Sequence, residues 1–176
     1  MNYSGIQLED IANGPGIRTS LFVSGCQFHC QNCFNQEAQD YNYGKLYTQE
    51  TEDLILSSMS NYTTGLSILG GDPLWQNIDG MVKLISLCKK VHELNKNIWL
   101  WSGFTWEYIF PTKARSLSNA TLLVRQSLVK NVDVLVDGEF IESKKDLTLK
   151  FKGSSNQRII QVQPSLNQNK IVLYEE

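Results

Sequence analysis

The chain has 176 residues, of which 41% are hydrophobic and 19% are charged, and this composition predicts a single globular domain with a substantial core. The formal net charge is −2 with both signs scattered along the chain, which argues against a nucleic-acid partner. No run approaches the roughly 18 apolar residues of a membrane span and residues 1–13 do not resemble a signal peptide, so we expect a cytoplasmic protein with reduced thiols and no membrane partner.

Four short apolar segments predict the strands of a sheet, and each is followed by glycine within two residues. They cover residues 19–24, 66–69, 98–101 and 132–136. Helical patterns lie between them: one begins after Thr48, a longer one begins after Asn77 and includes Cys88, and a weaker one covers residues 114–123. This alternation predicts an α/β fold with a parallel sheet.

The last part of the chain has strand-like segments without helices between them. They cover residues 147–151, 158–162 and 170–174. We therefore predict a β-rich C-terminal extension over about residues 139–176, within one domain that spans residues 1–176.

The predicted parallel strands place their carboxyl ends at one rim, where the sites of α/β proteins form. Four short segments follow these ends, at residues 25–26, 70–72, 102–103 and 137–138. The first of them opens the most unusual stretch of the sequence, a loop over residues 25–35 that contains three of the four cysteines.

Cys26, Cys30 and Cys33 form a CxxxCxxC pattern. In a reducing compartment, ligation of a metal is a better interpretation than disulfide bonding. A zinc site needs a fourth ligand, but His29 adjoins Cys30 and His92 is distant in sequence. A four-iron cluster with three thiolate ligands leaves one iron open to an external ligand.

Further motifs accompany the cysteines. GPGIR occupies residues 14–18, LGGDPL residues 69–74, DGEF residues 137–140 and GSSNQR residues 153–158. Because CxxxCxxC is the spacing of the radical S-adenosylmethionine (SAM) enzymes, the chain resembles that superfamily, and within it the activating proteins of anaerobic ribonucleotide reductases. The similarity extends from about residue 13 to residue 160, and the DGEF and GSSNQR motifs single out the reductase activases.

The resemblance implies a partial (β/α) barrel of the radical SAM type. It also implies a [4Fe-4S] cluster whose ligands are Cys26, Cys30 and Cys33, with SAM bound at the fourth iron. The expected enzyme generates a 5′-deoxyadenosyl radical and installs a glycyl radical on the large subunit of the reductase, with an external one-electron donor such as flavodoxin.

The resemblance places Gly70, Gly71 and Asp72 near the methionine amino group of SAM, where glycines permit a close approach of the backbone. An ordinary turn is the alternative for this segment. Ser102 and Asp137 are further candidates for SAM contacts, with a helix cap or a turn as the alternative role for each.

Three residues at the end of the cysteine loop are candidates for contacts with the adenine of SAM. Phe34 is expected to pack against the ring, and Asn32 and Cys33 are expected to provide backbone contacts. Asn32 departs from the wider superfamily, in which an aromatic residue often precedes the last cysteine.

The segment before the first predicted strand is a candidate for contact with the reductase. Gly14, Pro15 and Gly16 would let the loop approach the glycyl peptide, and Arg18 would pair with a carboxylate of the partner. A structural ion pair is the alternative for Arg18.

Three other functions remain open. The chain could activate a different glycyl-radical enzyme of the pyruvate formate-lyase type, or it could act on a small molecule; the GSSNQR motif argues against both. It could also be an iron–sulfur or zinc binding module without SAM chemistry, against which the absent fourth cysteine and the GGDP turn argue.

Overall fold

The computed structural model describes residues 1–112 and 119–175, and a seven-stranded mixed sheet is its central element. The strands are β1 (Asn2–Asp10), β2 (Ile17–Val23), β3 (Lys45–Leu46), β4 (Thr63–Gly70), β5 (Asn97–Ser102), β6 (Val134–Asp137) and β7 (Arg158–Gln161). Their order is β3-β1-β2-β4-β5-β6-β7, so the described strands form an open sheet with β3 and β7 at its edges.

The four central strands β2, β4, β5 and β6 run parallel, whereas β1, β3 and β7 pair antiparallel to their neighbours. The register pairs Val23 with Gly70 and Ser102 with Asp137. The carboxyl ends of the parallel strands therefore lie side by side. The predicted α/β class, the parallel strands and their common rim are confirmed.

The described helices are α1 (Gln49–Ser57), α2 (Ile78–Glu93), α3 (Trp106–Ile109), α4 (Ala120–Lys130) and α5 (Val162–Gln168). Thr48 and Asn77 occupy the predicted N-cap positions, and the Asn77 side chain accepts a hydrogen bond from the N–H of Gly80. The predicted helix over residues 114–123 agrees with the structure only at its end, where α4 begins at Ala120; residues 113–118 lie outside the described part of the chain.

The two faces of the sheet are covered differently. Alternate residues of β5 point to opposite faces: Ile98 and Leu100 join the main apolar core with α2, and Trp99 lies on the other side. The residues that α2 contributes to the main core are Met81, Leu84, Leu87, Cys88 and Val91. Trp99 packs instead with Val136 and with Phe151 from the C-terminal part of the chain.

The predicted β-rich extension is largely wrong. Residues 158–162 contain a strand, β7, but α5 follows it directly. Residues 170–174 contribute an isolated bridge between Leu173 and Ile160 rather than a named strand. Residues 147–151 form turns because the Asp146 carboxylate accepts the backbone N–H of Thr148, and Phe151 has a left-handed backbone with φ 58°.

No helix in the described residues has the length and apolar character needed to cross a membrane.

Candidate functional site

A cavity of about 560 Å³ lies at the carboxyl ends of the parallel strands. The cysteine loop, the end of β4 and the end of β5 form part of its wall, and the segment after β6 forms another part. The wall contains Cys26, Cys30, Asn32, Cys33, Phe34, Gly70, Gly71, Asp72, Ser102, Gly103, Gly138, Glu139, Phe140 and Gln157, among others. Most of the predicted site residues are thus brought together.

The cysteine loop is fixed to the chain that follows it. The N–H of Gly25 donates to the carbonyl of Ala38 at 2.7 Å, and the N–H of Cys26 donates to the carbonyl of Gln39 at 3.1 Å. Gly25 has φ 105° and Asn32 has φ 54°, so the loop turns sharply at both ends. These turns leave the three cysteines partly exposed on the wall of the cavity.

The side chain of Phe28 anchors the middle of the loop. Its ring lies 5.0 Å from the ring of Phe104 and 5.7 Å from that of Trp75, both in edge-on geometry. Arg125 lies over the same two rings, 4.4 Å from the centre of Phe104 and 5.0 Å from that of Trp75. Phe28 therefore ties the loop to an aromatic cluster beneath the strand ends.

The donor set fits a [4Fe-4S] cluster better than a zinc ion. Among the described residues, no group of three or more histidine, cysteine, aspartate and glutamate side chains is close enough to bind one metal ion. Thiolates around a four-iron cluster each bind a different iron and so need not converge on one point. His29 Nδ1 pairs with Gln39 and His92 Nε2 with Asp133, and neither histidine belongs to a group of described residues that could hold one metal ion.

Burial changes the pKa values of two of the three thiols. Burial raises the pKa of Cys26 to about 12, and it also raises the pKa of Cys30. These two sulfurs are protonated at neutral pH without a bound metal, and binding of iron must release the protons.

The glycines at the end of β4 are required by close backbone contacts. Gly70 has φ 108°, and a Cβ atom there would lie 2.6 Å from the carbonyl oxygen of Val23. A Cβ atom on Gly71 would lie 2.6 Å from the carbonyl oxygen of Gly25. The N–H of Asp72 donates to the same Gly25 carbonyl at 2.9 Å, so this segment is held directly against the start of the cysteine loop.

The side chains of Asp72 and Ser102 bind each other. The Ser102 hydroxyl lies 2.9 and 3.0 Å from the two carboxylate oxygens, which also accept the N–H groups of Gly103 and Leu74 at 2.8 Å. Burial raises the pKa of Asp72 to about 6, although these hydrogen bonds act in the opposite direction. The carboxylate therefore joins the ends of β4 and β5.

Asp137 is not among the residues that line the main cavity. Its buried carboxylate accepts the N–H of Trp106 at 2.7 Å and the Nε of Arg158 at 2.9 Å. Arg158 also pairs with both oxygens of Glu107 at 2.9 Å. Asp137, Arg158 and Glu107 line a smaller neighbouring cavity, so Asp137 pairs with Ser102 in the sheet but does not line the cavity of the other candidate contacts.

Phe34 is fully exposed at the wall of the main cavity. Its ring has no aromatic contact in the described residues, whereas Asn32 and Cys33 beside it also line the cavity. The end of the cysteine loop therefore offers an uncommitted aromatic side chain at this wall.

The expectation that Arg18 contacts a partner is wrong, because its side chain is fully buried. The guanidinium donates to Ser67 Oγ and the Leu66 carbonyl at 2.7 Å, and to Asn97 Oδ1 at 2.8 Å. Burial lowers the pKa of Arg18 to about 10. Gly14 lies against it, since a Cβ atom there would come within 3.0 Å of the Arg18 side chain.

Several site residues were not predicted from the sequence. The Phe28 ring anchors the cysteine loop, and it packs directly against Gly103. One side of the cavity is formed by residues 138–140 and 153–157. The DGEF and GSSNQR motifs mark these last two segments, but neither spacing nor composition indicates that they line the same cavity as the cysteine loop.

Comparison with known proteins identifies relatives along nearly the whole chain. A family model described as a 4Fe-4S single cluster domain matches residues 12–160. The anaerobic ribonucleoside-triphosphate reductase-activating protein of Vibrio cholerae is 37% identical over 163 residues, which cover 90% of this chain and 97% of the relative. The proteins of the same name from Escherichia coli K12 and Enterobacteria phage T4 are 37% and 36% identical, over 89% and 90% of this chain and 96% and 93% of the relatives.

Proposed function

The chain belongs to the family of anaerobic ribonucleoside-triphosphate reductase-activating proteins, and we propose that it activates its reductase through a [4Fe-4S] cluster held by three cysteines and SAM bound beside it. The observation that carries the proposal is the convergence of Cys26, Cys30 and Cys33 with the Gly70–Gly71 turn on one cavity. The open sheet would be the partial barrel of radical SAM enzymes, with its unclosed side available to a protein substrate.

When bound, the cluster and SAM would supply the one-electron radical chemistry by which a hydrogen atom is removed from a glycine of the reductase. The residues of the chain orient the reactants and exclude water. Gly70 packs against the end of β2 and Gly71 against the start of the cysteine loop, without intervening side chains. These contacts hold the turn beside the cysteines, where the methionine part of SAM would bind. Phe34 would cover the adenine.

The chemistry requires no general acid or base from the protein, and the site agrees with this requirement. The Asp72 carboxylate is occupied by Ser102 and two backbone N–H groups, and His29 is paired with Gln39. The required electron would come from an external one-electron donor such as flavodoxin.

The experiment that tests this function compares two cysteine variants with the unmodified protein. After anaerobic incubation with iron and sulfide, we expect Cys30→Ala to lose the visible absorption of the cluster and Cys88→Ala to retain it, because Cys88 is buried in α2 away from the cavity. The reduced unmodified protein should then form 5′-deoxyadenosine and a glycyl radical signal with its reductase. Cluster formation without either product contradicts the proposal.

A further inference from the structure

The most exposed apolar side chains of the described residues lie around one cavity, the one at the carboxyl ends of the parallel strands. Phe34 is fully exposed, Leu147 is 89% exposed and Ile11 is 75% exposed, and every other large apolar side chain in the described part of the chain is exposed by 63% or less. Phe34 and Leu147 line the cavity, and Ile11 adjoins Ala12, which also lines it. Single exposed apolar side chains are normal on a protein surface, but a group of them around one cavity indicates an interaction site.

Leu147 stands on a loop of fixed shape, residues 145–151. The Asp146 carboxylate accepts an N–H and a hydroxyl within this loop, at 2.8 and 2.7 Å. The Nε1 of Trp101 donates to the carbonyl of Phe151 at 2.8 Å and so attaches the end of the loop to β5. Neither apolar cluster of the described residues includes Leu147, so the core does not require this side chain.

Ile11 stands on a second fixed turn, between β1 and β2. The buried Asp10 carboxylate accepts the N–H of Ala12 at 2.8 Å and the Nδ2 of Asn13 at 2.6 Å. Internal hydrogen bonds therefore hold both exposed side chains in place before any partner binds. A surface that is already ordered loses less conformational freedom on binding, which favours affinity.

We propose that Leu147 and Ile11 form a docking surface for the glycine-bearing segment of the reductase. The inference rests on the proposed function, because removal of a hydrogen atom requires the glycine to come within about 3–3.5 Å of the reacting group in this cavity. A cavity of about 560 Å³ has the size of a small-molecule site, so an extended chain segment can enter it and a folded domain cannot. The residues that flank the glycine then lie at the mouth of the cavity, where their apolar side chains contact Leu147 and Ile11.

The charge near Leu147 favours a reductase segment over a second copy of this chain. Residues 142–152 contain four lysines against Glu142 and Asp146, an excess of two positive charges in a chain of net charge −2. A two-fold dimer would place this surface against its own copy, where like charges repel. A reductase segment with apolar and acidic side chains beside its glycine complements the surface.

Binding of the purified reductase to the cluster-loaded protein with SAM is the first measurement. We expect Leu147→Ala and Ile11→Ala each to raise the Kd for the reductase about tenfold, because each variant removes an apolar contact buried in the complex. Leu147→Met should restore the Kd. Leu123→Ala is the matched control, because Leu123 is an exposed apolar residue of α4 that does not line the cavity, and it should bind the reductase normally. The Kd for SAM without the reductase should be the same in all these variants.

Photo-crosslinking identifies the occupant directly. The variant Leu147→p-benzoylphenylalanine, irradiated with the purified reductase, should form a crosslink to the peptide that contains the reductase glycine. The same replacement at Leu123 should not crosslink to that peptide. A crosslink from position 147 to a second copy of this chain, or to a reductase surface remote from the glycine, overturns the proposal, and so does an unchanged Kd in either alanine variant.

Neither readout depends on radical formation. A complex that binds and crosslinks as expected but forms no glycyl radical contradicts the proposed function alone. Normal formation of the glycyl radical by the unmodified protein, combined with an unchanged Kd in the alanine variants, contradicts the docking surface alone.

Discussion

Gly103 lies directly against the ring of Phe28, and a Cβ atom on Gly103 would come within 2.5 Å of that ring. This contact connects the end of β5 with the middle of the cysteine loop. The ring stands between Cys26 and Cys30 in sequence, so its position affects the placement of both sulfurs. The absence of a side chain at residue 103 is therefore a condition for the geometry of the loop.

We predict that Gly103→Ala weakens retention of the cluster. The added methyl group must displace the Phe28 ring, and overpacking of this kind costs about 1–3 kcal/mol. The iron content after anaerobic reconstitution and gel filtration measures the effect. Gly5→Ala is the matched control, because a Cβ atom on Gly5 meets nothing within 4 Å. Equal iron retention in the two variants would show that Phe28 does not position the loop.

The buried carboxylate of Asp72 predicts a pH-dependent stability. Because its pKa in the folded protein is about 6, above the ordinary 3.8, the folded state binds the proton more tightly than the unfolded state. Its contribution to stability is therefore fully present below about pH 4 and is lost as the pH rises through about 6. The loss amounts to about 3 kcal/mol by pH 7.

Urea unfolding of iron-free Asp72→Asn and of the unmodified protein between pH 4 and pH 7 checks this prediction. Asparagine does not titrate, so the variant should gain stability relative to the unmodified protein as the pH rises. Asp79→Asn is the control: Asp79 makes an exposed pair with Lys83, and its loss should change stability by about 0.5 kcal/mol or less at each pH. A difference between Asp72→Asn and the unmodified protein that does not change with pH contradicts the assignment.

The parallel strands and their rim were predictable because they depend on local features. Each strand is a short apolar run, and the backbone turns away at its end on glycine or a small polar residue. The part of the cavity wall that lies at the strand ends followed from this topology, since carboxyl ends of parallel strands meet on one side of a sheet. The cysteine spacing then indicated which of the strand ends is the candidate site for the cluster.

The C-terminal part was predicted poorly because long-range contacts determine its structure. Residues 147–151 have the apolar alternation of a strand. They form turns instead, because of the Asp146 turn and the hydrogen bond from Trp101 Nε1 to the Phe151 carbonyl. The predicted contact of Arg18 with a partner was wrong for a similar reason. Its acceptors Ser67 and Asn97 are 49 and 79 residues away, and no local pattern reveals them.

We predict that Arg18→Lys destabilises the fold without removing a contact to the reductase. The guanidinium donates to five acceptor atoms, and an ammonium group has only three N–H donors, so the free energy of unfolding should fall by about 2–4 kcal/mol. Urea unfolding and binding to the reductase, measured on the same preparation, separate the two roles. Unchanged stability together with weakened binding would restore Arg18 as a partner contact.

Phe34 is expected to behave in the opposite way, because its side chain is fully exposed and packs on no core residue. Phe34→Ala should change the free energy of unfolding by less than about 0.5 kcal/mol. If the ring covers the adenine, its removal should raise the KM for SAM about fivefold, which corresponds to a ring contact of about 1 kcal/mol. Phe34→Tyr should restore the KM, and Leu123→Ala, at another exposed apolar position on α4, should leave it unchanged. An unchanged KM for SAM combined with poorer activation of the reductase would mean that the ring contacts the protein partner. A fully exposed side chain that contributes little to folding can affect activity only through a molecule that binds against it.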